Sequence, residues 1–81
     1  MKEIDKFITL IVKLQPVEFM GLARVLKVHL YADEETREPR DFEEVFAEVL
    51  ERFNKSNRTR RREIIRLVKA ALKGGSNASN S

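Results

Sequence analysis

Cysteine and tryptophan are absent from this chain, and histidine occurs once, as His29. Without a thiol there is no disulfide framework, no thiolate metal site and no cysteine nucleophile. That lack suits a reducing cytoplasm, which is the compartment the sequence predicts. Long hydrophobic runs are missing too. The longest, Phe7–Val12, is interrupted by Thr9 and stopped by Lys13, against the ~20 apolar residues a bilayer span needs. It follows Glu3 and Asp5 and lacks a small-residue cleavage site, so neither a membrane segment nor a signal peptide is predicted. A Gly-rich phosphate loop and a dinucleotide fingerprint are likewise absent.

Only three glycines and two prolines punctuate the 81 residues, which are 42% hydrophobic and 36% charged. This balance describes a folded helical chain rather than a disordered one. Residues 3–14 place Ile4, Phe7, Ile8, Ile11 and Val12 at helical spacing, and Pro16 ends that helix by restricting Gln15. A second helix, 17–30, carries Phe19, Leu22, Ala23, Leu26 and Leu30; within it Gly21 suggests a close helix crossing, with a simply tolerated glycine as an equal alternative. Residues 31–40 lose the period and read as a charged connector. Asp41 and Glu44 have the spacing of a capping box for a third helix, 41–54, with Phe42, Val45, Phe46, Val49, Leu50 and Phe53 inward. The fourth, 58–73, follows an Asn/Ser turn and turns Ile64, Leu67, Val68, Ala71 and Leu72 inward. The predicted fold is all-α, a small compact bundle of four helices forming a single domain over 1–73. Gly-Gly-Ser-Asn-Ala-Ser-Asn-Ser, 74–81, reads as a disordered tail.

Catalysis is not predicted. His29 has no cysteine partner, and the serines lie in the turn before the fourth helix or in the tail, so no nucleophile stands beside a base. Asp33, Glu34, Glu35, Glu38 and Asp41 concentrate acid in the connector. They lack the alternating ligands and central glycine of a calcium loop and read as solvated charge. Neither a metal nor a cofactor is expected.

Charge is divided unevenly. Residues 1–55 hold nine Lys/Arg against twelve Asp/Glu, whereas residues 56–81 hold seven against one, within a formal net charge of +3. The basic residues are Arg58, Arg60, Arg61, Arg62, Arg66, Lys69 and Lys73. Several fall in the first turn of a helix, where the dipole disfavours cations by a few tenths of a kcal/mol each. Five of them, Arg58, Arg62, Arg66, Lys69 and Lys73, recur at steps of four, four, three and four, and so form one stripe. Such a stripe suits a nucleic-acid backbone, whose phosphates arginine engages bidentately. The predicted function is a non-enzymatic binding or regulatory module with DNA or RNA as ligand. The alternative is a protein–protein adaptor or self-associating homodimer, in which the basic helix meets an acidic surface such as Glu44, Glu48 and Glu51. A passive solvated face is the third reading of the stripe.

Leu22-Ala23-Arg24-Val25-Leu26-Lys27-Val28 is similar to the first helix of many helix-turn-helix motifs. That resemblance implies a recognition helix a few residues later. Asp33, Glu34 and Glu35 stand there instead and would repel phosphates, so the nucleic-acid surface is expected on the fourth helix.

Overall fold

The computed structural model describes residues 2–80, with side chains described for residues 2–74. Among them are four helices and one small hairpin: α1 (Glu3–Ile11), α2 (Pro16–Val25), β1 (Tyr31–Asp33), β2 (Glu38–Pro39), α3 (Phe42–Lys55) and α4 (Arg58–Asn80). The small all-α bundle predicted from hydrophobic period is the architecture found, with the hairpin as an addition. The tail predicted over 74–81 enters this last helix; the side chains of 75–80, and all of Ser81, lie outside the described residues.

Acidic Glu3 and Asp5 sit in the first turn of α1, where they favour the positive end of the helix dipole. The α-helical segment stops at Ile11, earlier than the predicted 14. Lys13 N–H bonds to the Leu10 carbonyl and Leu14 N–H to that of Ile11, a tighter i to i+3 winding. Pro16 forces Gln15 into extended geometry (φ −70°, ψ 156°), and the unwinding starts one turn ahead of it. Pro16 then opens α2, and the Gln15 N–H donates to Glu18 Oε1 at 2.8 Å.

α2 ends at Val25 rather than running to 30. Lys27 takes φ +60°, Val28 N–H reaches back to the Ala23 carbonyl, and Lys27 N–H to that of Arg24. These two bonds form a Schellman motif, built here on lysine where glycine is usual. Buried Val28 (4% exposed) and Ala23 (0%) supply the apolar contact that accompanies it. Gly21 is not a close crossing, because a Cβ built there would meet nothing within 4 Å.

The connector at 31–40 is ordered as an antiparallel hairpin, Tyr31 pairing with Pro39 and Asp33 with Glu38, with a register shift at Ala32. Asp33 Oδ1 accepts from Glu35 N–H at 2.9 Å to start the turn, and Arg37 takes φ +56° to finish it. Arg40 fixes the hairpin base. It donates to the His29 carbonyl at 2.9 Å and to Glu48 Oε2 at 2.7 Å, linking the strand exit to α3.

The Asp41–Glu44 capping box is not formed, since the Asp41 side chain caps no backbone group. Its carbonyl begins the α3 ladder by accepting from Val45 N–H, and Glu43 and Glu44 meet the dipole. At the other end the Ser56 hydroxyl donates to the Arg52 carbonyl. One residue on, Asn57 Oδ1 accepts the Arg60 N–H at 2.8 Å and starts α4.

The core centres on Phe7 of α1 and Phe53 of α3, whose rings stack with centroids 4.1 Å apart and 4° between planes. Ile64 and Val68 of α4 and Val49 of α3 close around them. Phe19, Phe42 and Phe46 make a second aromatic group. Three residues of the expected apolar stripes lie largely outside it: Val12 is 63%, Phe42 61% and Leu67 46% exposed. Phe42 occupies the first turn of α3, beyond the packed centre. Leu67 borders an apolar groove of about 300 Å³ between α2 and α4, shared with Leu22, Val25 and Ala71. Among the described residues no helix is long and apolar enough to cross a membrane.

Candidate nucleic-acid interface

The seven basic residues of α4 divide into two groups. Arg60 and Arg61 have anionic partners, the first on α4 itself and the second on α1. Arg60 reaches Glu63 at 3.2 Å and borders a cleft of about 490 Å³ with Lys27, Glu48, Glu51 and Lys55. Arg61, three-quarters covered, places Nε 2.9 Å from Glu3 Oε1 and donates to the Ser56 carbonyl. Each guanidinium thus already has a carboxylate neighbour, although Arg60 keeps 42% of its side chain exposed.

The other five, Arg58, Arg62, Arg66, Lys69 and Lys73, are exposed. None takes part in an ion pair or side-chain hydrogen bond among the described residues. Their spacing around a helix of 3.6 residues per turn holds them within an arc of about 80°. Ile64 and Val68, buried at 0% and 1%, anchor the opposite side of α4, so packing fixes the direction in which the stripe faces.

The glutamates of α3 do not cover it within the chain. Glu48 is engaged by Arg40 and Glu51 by Lys55 at 2.7 Å. The Lys55 ammonium, first through its hydrogen bond and then through its charge, holds the Glu51 carboxyl below the usual carboxylate range. Glu44 is exposed and forms no ion pair among the described residues.

Where the helix-turn-helix resemblance implies a recognition helix, the chain forms the β1–β2 hairpin, with Glu34 and Glu35 in its turn. His29 is exposed, and its role in the fold is carried by its backbone carbonyl. No group of three His, Asp or Glu among the described residues is placed to hold a metal ion.

The stripe also has a neighbour that the linear sequence does not reveal. α1 lies alongside α4 in the same direction: Glu3 contacts Arg61 near the start of both. Leu14, just past the end of α1, shares the apolar groove with Leu67, Val68 and Ala71 further along α4. Exposed Lys6 of α1, with Lys2 and Lys13 just beyond its two ends, thus belongs to a segment that packs on α4, more than 40 positions away in sequence.

Comparison with known proteins finds no matching family model, no matching curated protein and no matching solved structure.

Proposed function

We propose that this protein is a non-enzymatic binding module whose α4 stripe engages the phosphate backbone of a nucleic acid. One observation carries the reading: five cations share a helix edge without an anionic partner among the described residues, while Arg40, Lys55, Arg60 and Arg61 each have one. Exposed ion pairs contribute only ~0–1 kcal/mol and a cation near a helix N-terminus is mildly unfavourable. Stability thus gives little reason for the stripe, whereas counterion release from phosphates gives a strong one. The test is fluorescence polarisation with labelled DNA and RNA at several salt concentrations. If about four phosphates are neutralised, log affinity should fall against log salt with a slope of about −3 to −4. Absence of binding to every probe at low salt overturns the reading.

A second reading, a protein–protein adaptor or self-associating domain, is favoured by apolar side chains left open. Val12, Val17 and Phe42 are 63%, 75% and 61% exposed, and a groove of about 340 Å³ runs between Val12, Phe19 and Phe42. Sedimentation velocity over a range of concentrations tests self-association; a monomer throughout removes the homodimer.

A further inference from the structure

The parallel course of α1 and α4 has a geometric result. Each residue advances about 100° around a helix. Going round α4 in that sense, the side towards α2 (Leu67, Ala71) is followed by the core positions Ile64 and Val68. Next comes the edge that meets α1, marked by Arg61, and after it the stripe of Arg62, Arg66, Lys69 and Lys73. Going round α1 in the same sense from its α4-facing edge, marked by Glu3 and Leu14, one passes the core positions Phe7, Ile11 and Ile4. The exposed Val12 edge follows, and last the row of Lys2, Lys6 and Lys13, which adjoins the starting edge. Two right-handed helices lying in the same direction present these rows to the same side of the molecule.

The seam between the rows holds one carboxylate, Glu3, and Arg61 already engages it at 2.9 Å. Asp5 lies towards the Val12 edge, about 100° from Lys6. The combined face is therefore uniformly cationic. It is also plain: the aromatic side chains belong to the core, to the start of α3 or to the hairpin, and neither row contains Asn or Gln. Single-stranded nucleic acids are held largely by stacking on aromatics, at ~1–3 kcal/mol per base, and the face offers none. Base edges are read above all by Arg forks and by Asn or Gln amides held within a groove, and two rows lying flat across a bundle surface enter none. Rows carried on packed helices, whose axes lie about 8–10 Å apart, can address strands on either side of a minor groove about 6 Å wide. A lone strand offers only one line of phosphates.

We infer that Lys6 of α1 and Lys13 in the turn that follows it act with the α4 stripe as a two-row surface for double-stranded nucleic acid, engaging its backbone independently of sequence. This rests on the polyanion reading of α4 and adds both a second set of residues and a ligand class.

The experiment measures binding of the full chain to labelled duplex DNA, duplex RNA and a single strand, each of two unrelated sequences, at low and physiological salt. Vesicles containing anionic lipid form a separate arm. Either duplex should bind about tenfold more tightly than the single strand, with no dependence on sequence; the tighter of the two identifies the source of the phosphates. The K6Q/K13Q variant should lose about tenfold in duplex affinity and reduce the salt slope by about 2, one per lysine, with single-strand affinity within about twofold of the parent. Arg24→Gln, an exposed cation on α2, should bind as the parent does, and circular dichroism with melting should show both variants folded. Unchanged duplex affinity in K6Q/K13Q, or single strands bound as well as duplexes, overturns the two-row surface and leaves the α4 reading standing. Vesicle binding without duplex binding, or no binding of any probe by the parent, overturns both.

Discussion

The hairpin and α3 side of the molecule and the outward face of α4 handle charge in opposite ways. On the first, Arg40 and Lys55 each have a carboxylate at 2.7 Å, and acid is abundant. On the second, five cations stand in a row with none among the described residues. The two regions share a chain and a core, so neither solubility nor composition accounts for the contrast. Arg40 and Lys55 are tied to the fold by ion pairs, whereas Arg37 and Arg52 on the same side, and the five stripe cations, form none among the described residues.

Reversing charge on the unpaired side should produce the largest effect. R62E/R66E should weaken nucleic-acid binding on the order of a hundredfold and leave the melting temperature nearly unchanged, because both side chains project into solvent. A variant that melts early would show the stripe to be part of the fold and would erase the contrast. On the paired side the pattern should invert. Arg40→Ala removes bonds to Glu48 and to the His29 carbonyl and should cost about 1–2 kcal/mol, lowering the melting temperature by roughly 5–10 °C. Its nucleic-acid affinity should match the parent's.

The smallest effect concerns Glu51. Its folded-state pKa is lowered by Lys55, so its contribution is present above the ordinary carboxylate range and disappears as pH falls through the lowered value. In a carboxyl-detected NMR titration, Lys55→Gln should move the Glu51 midpoint upward. The melting temperatures of parent and variant should converge in acid. An unshifted midpoint would show that this pair is not formed in solution.

The helices were legible because their apolar residues keep a 3.6 period, and Phe7, Val49, Phe53, Ile64 and Val68 fall at the centre where that period puts them. The end of α2 was not. Val28 and Leu30 prolong the pattern, and the turn that breaks it rests on Lys27 in a conformation normally signalled by glycine. Lys27→Gly should accordingly stabilise the protein by about 0.5–1 kcal/mol, read as a melting temperature higher by about 4 °C; a lower value would deny the strain. The hairpin was hidden for a related reason. Its strands are two and three residues long, and its order comes from Asp33 and Arg40 rather than from alternation. For the interface, local spacing revealed the five-residue stripe. It could not reveal that Arg61 is tied to Glu3, nor that α1 lies beside α4, because both depend on a contact 58 positions apart.

That last contact bears on how the molecule is made. The apolar side of α1, with Phe7 and Ile11, is covered by Phe53 and by α4, segments that a ribosome delivers late. During synthesis the first helix must wait with its greasy surface bare, and the bundle can close only once Ile64 and Val68 have emerged. A chaperone that binds exposed apolar surface would find its opportunity in that interval, and slowing translation ahead of residue 58 should lengthen it.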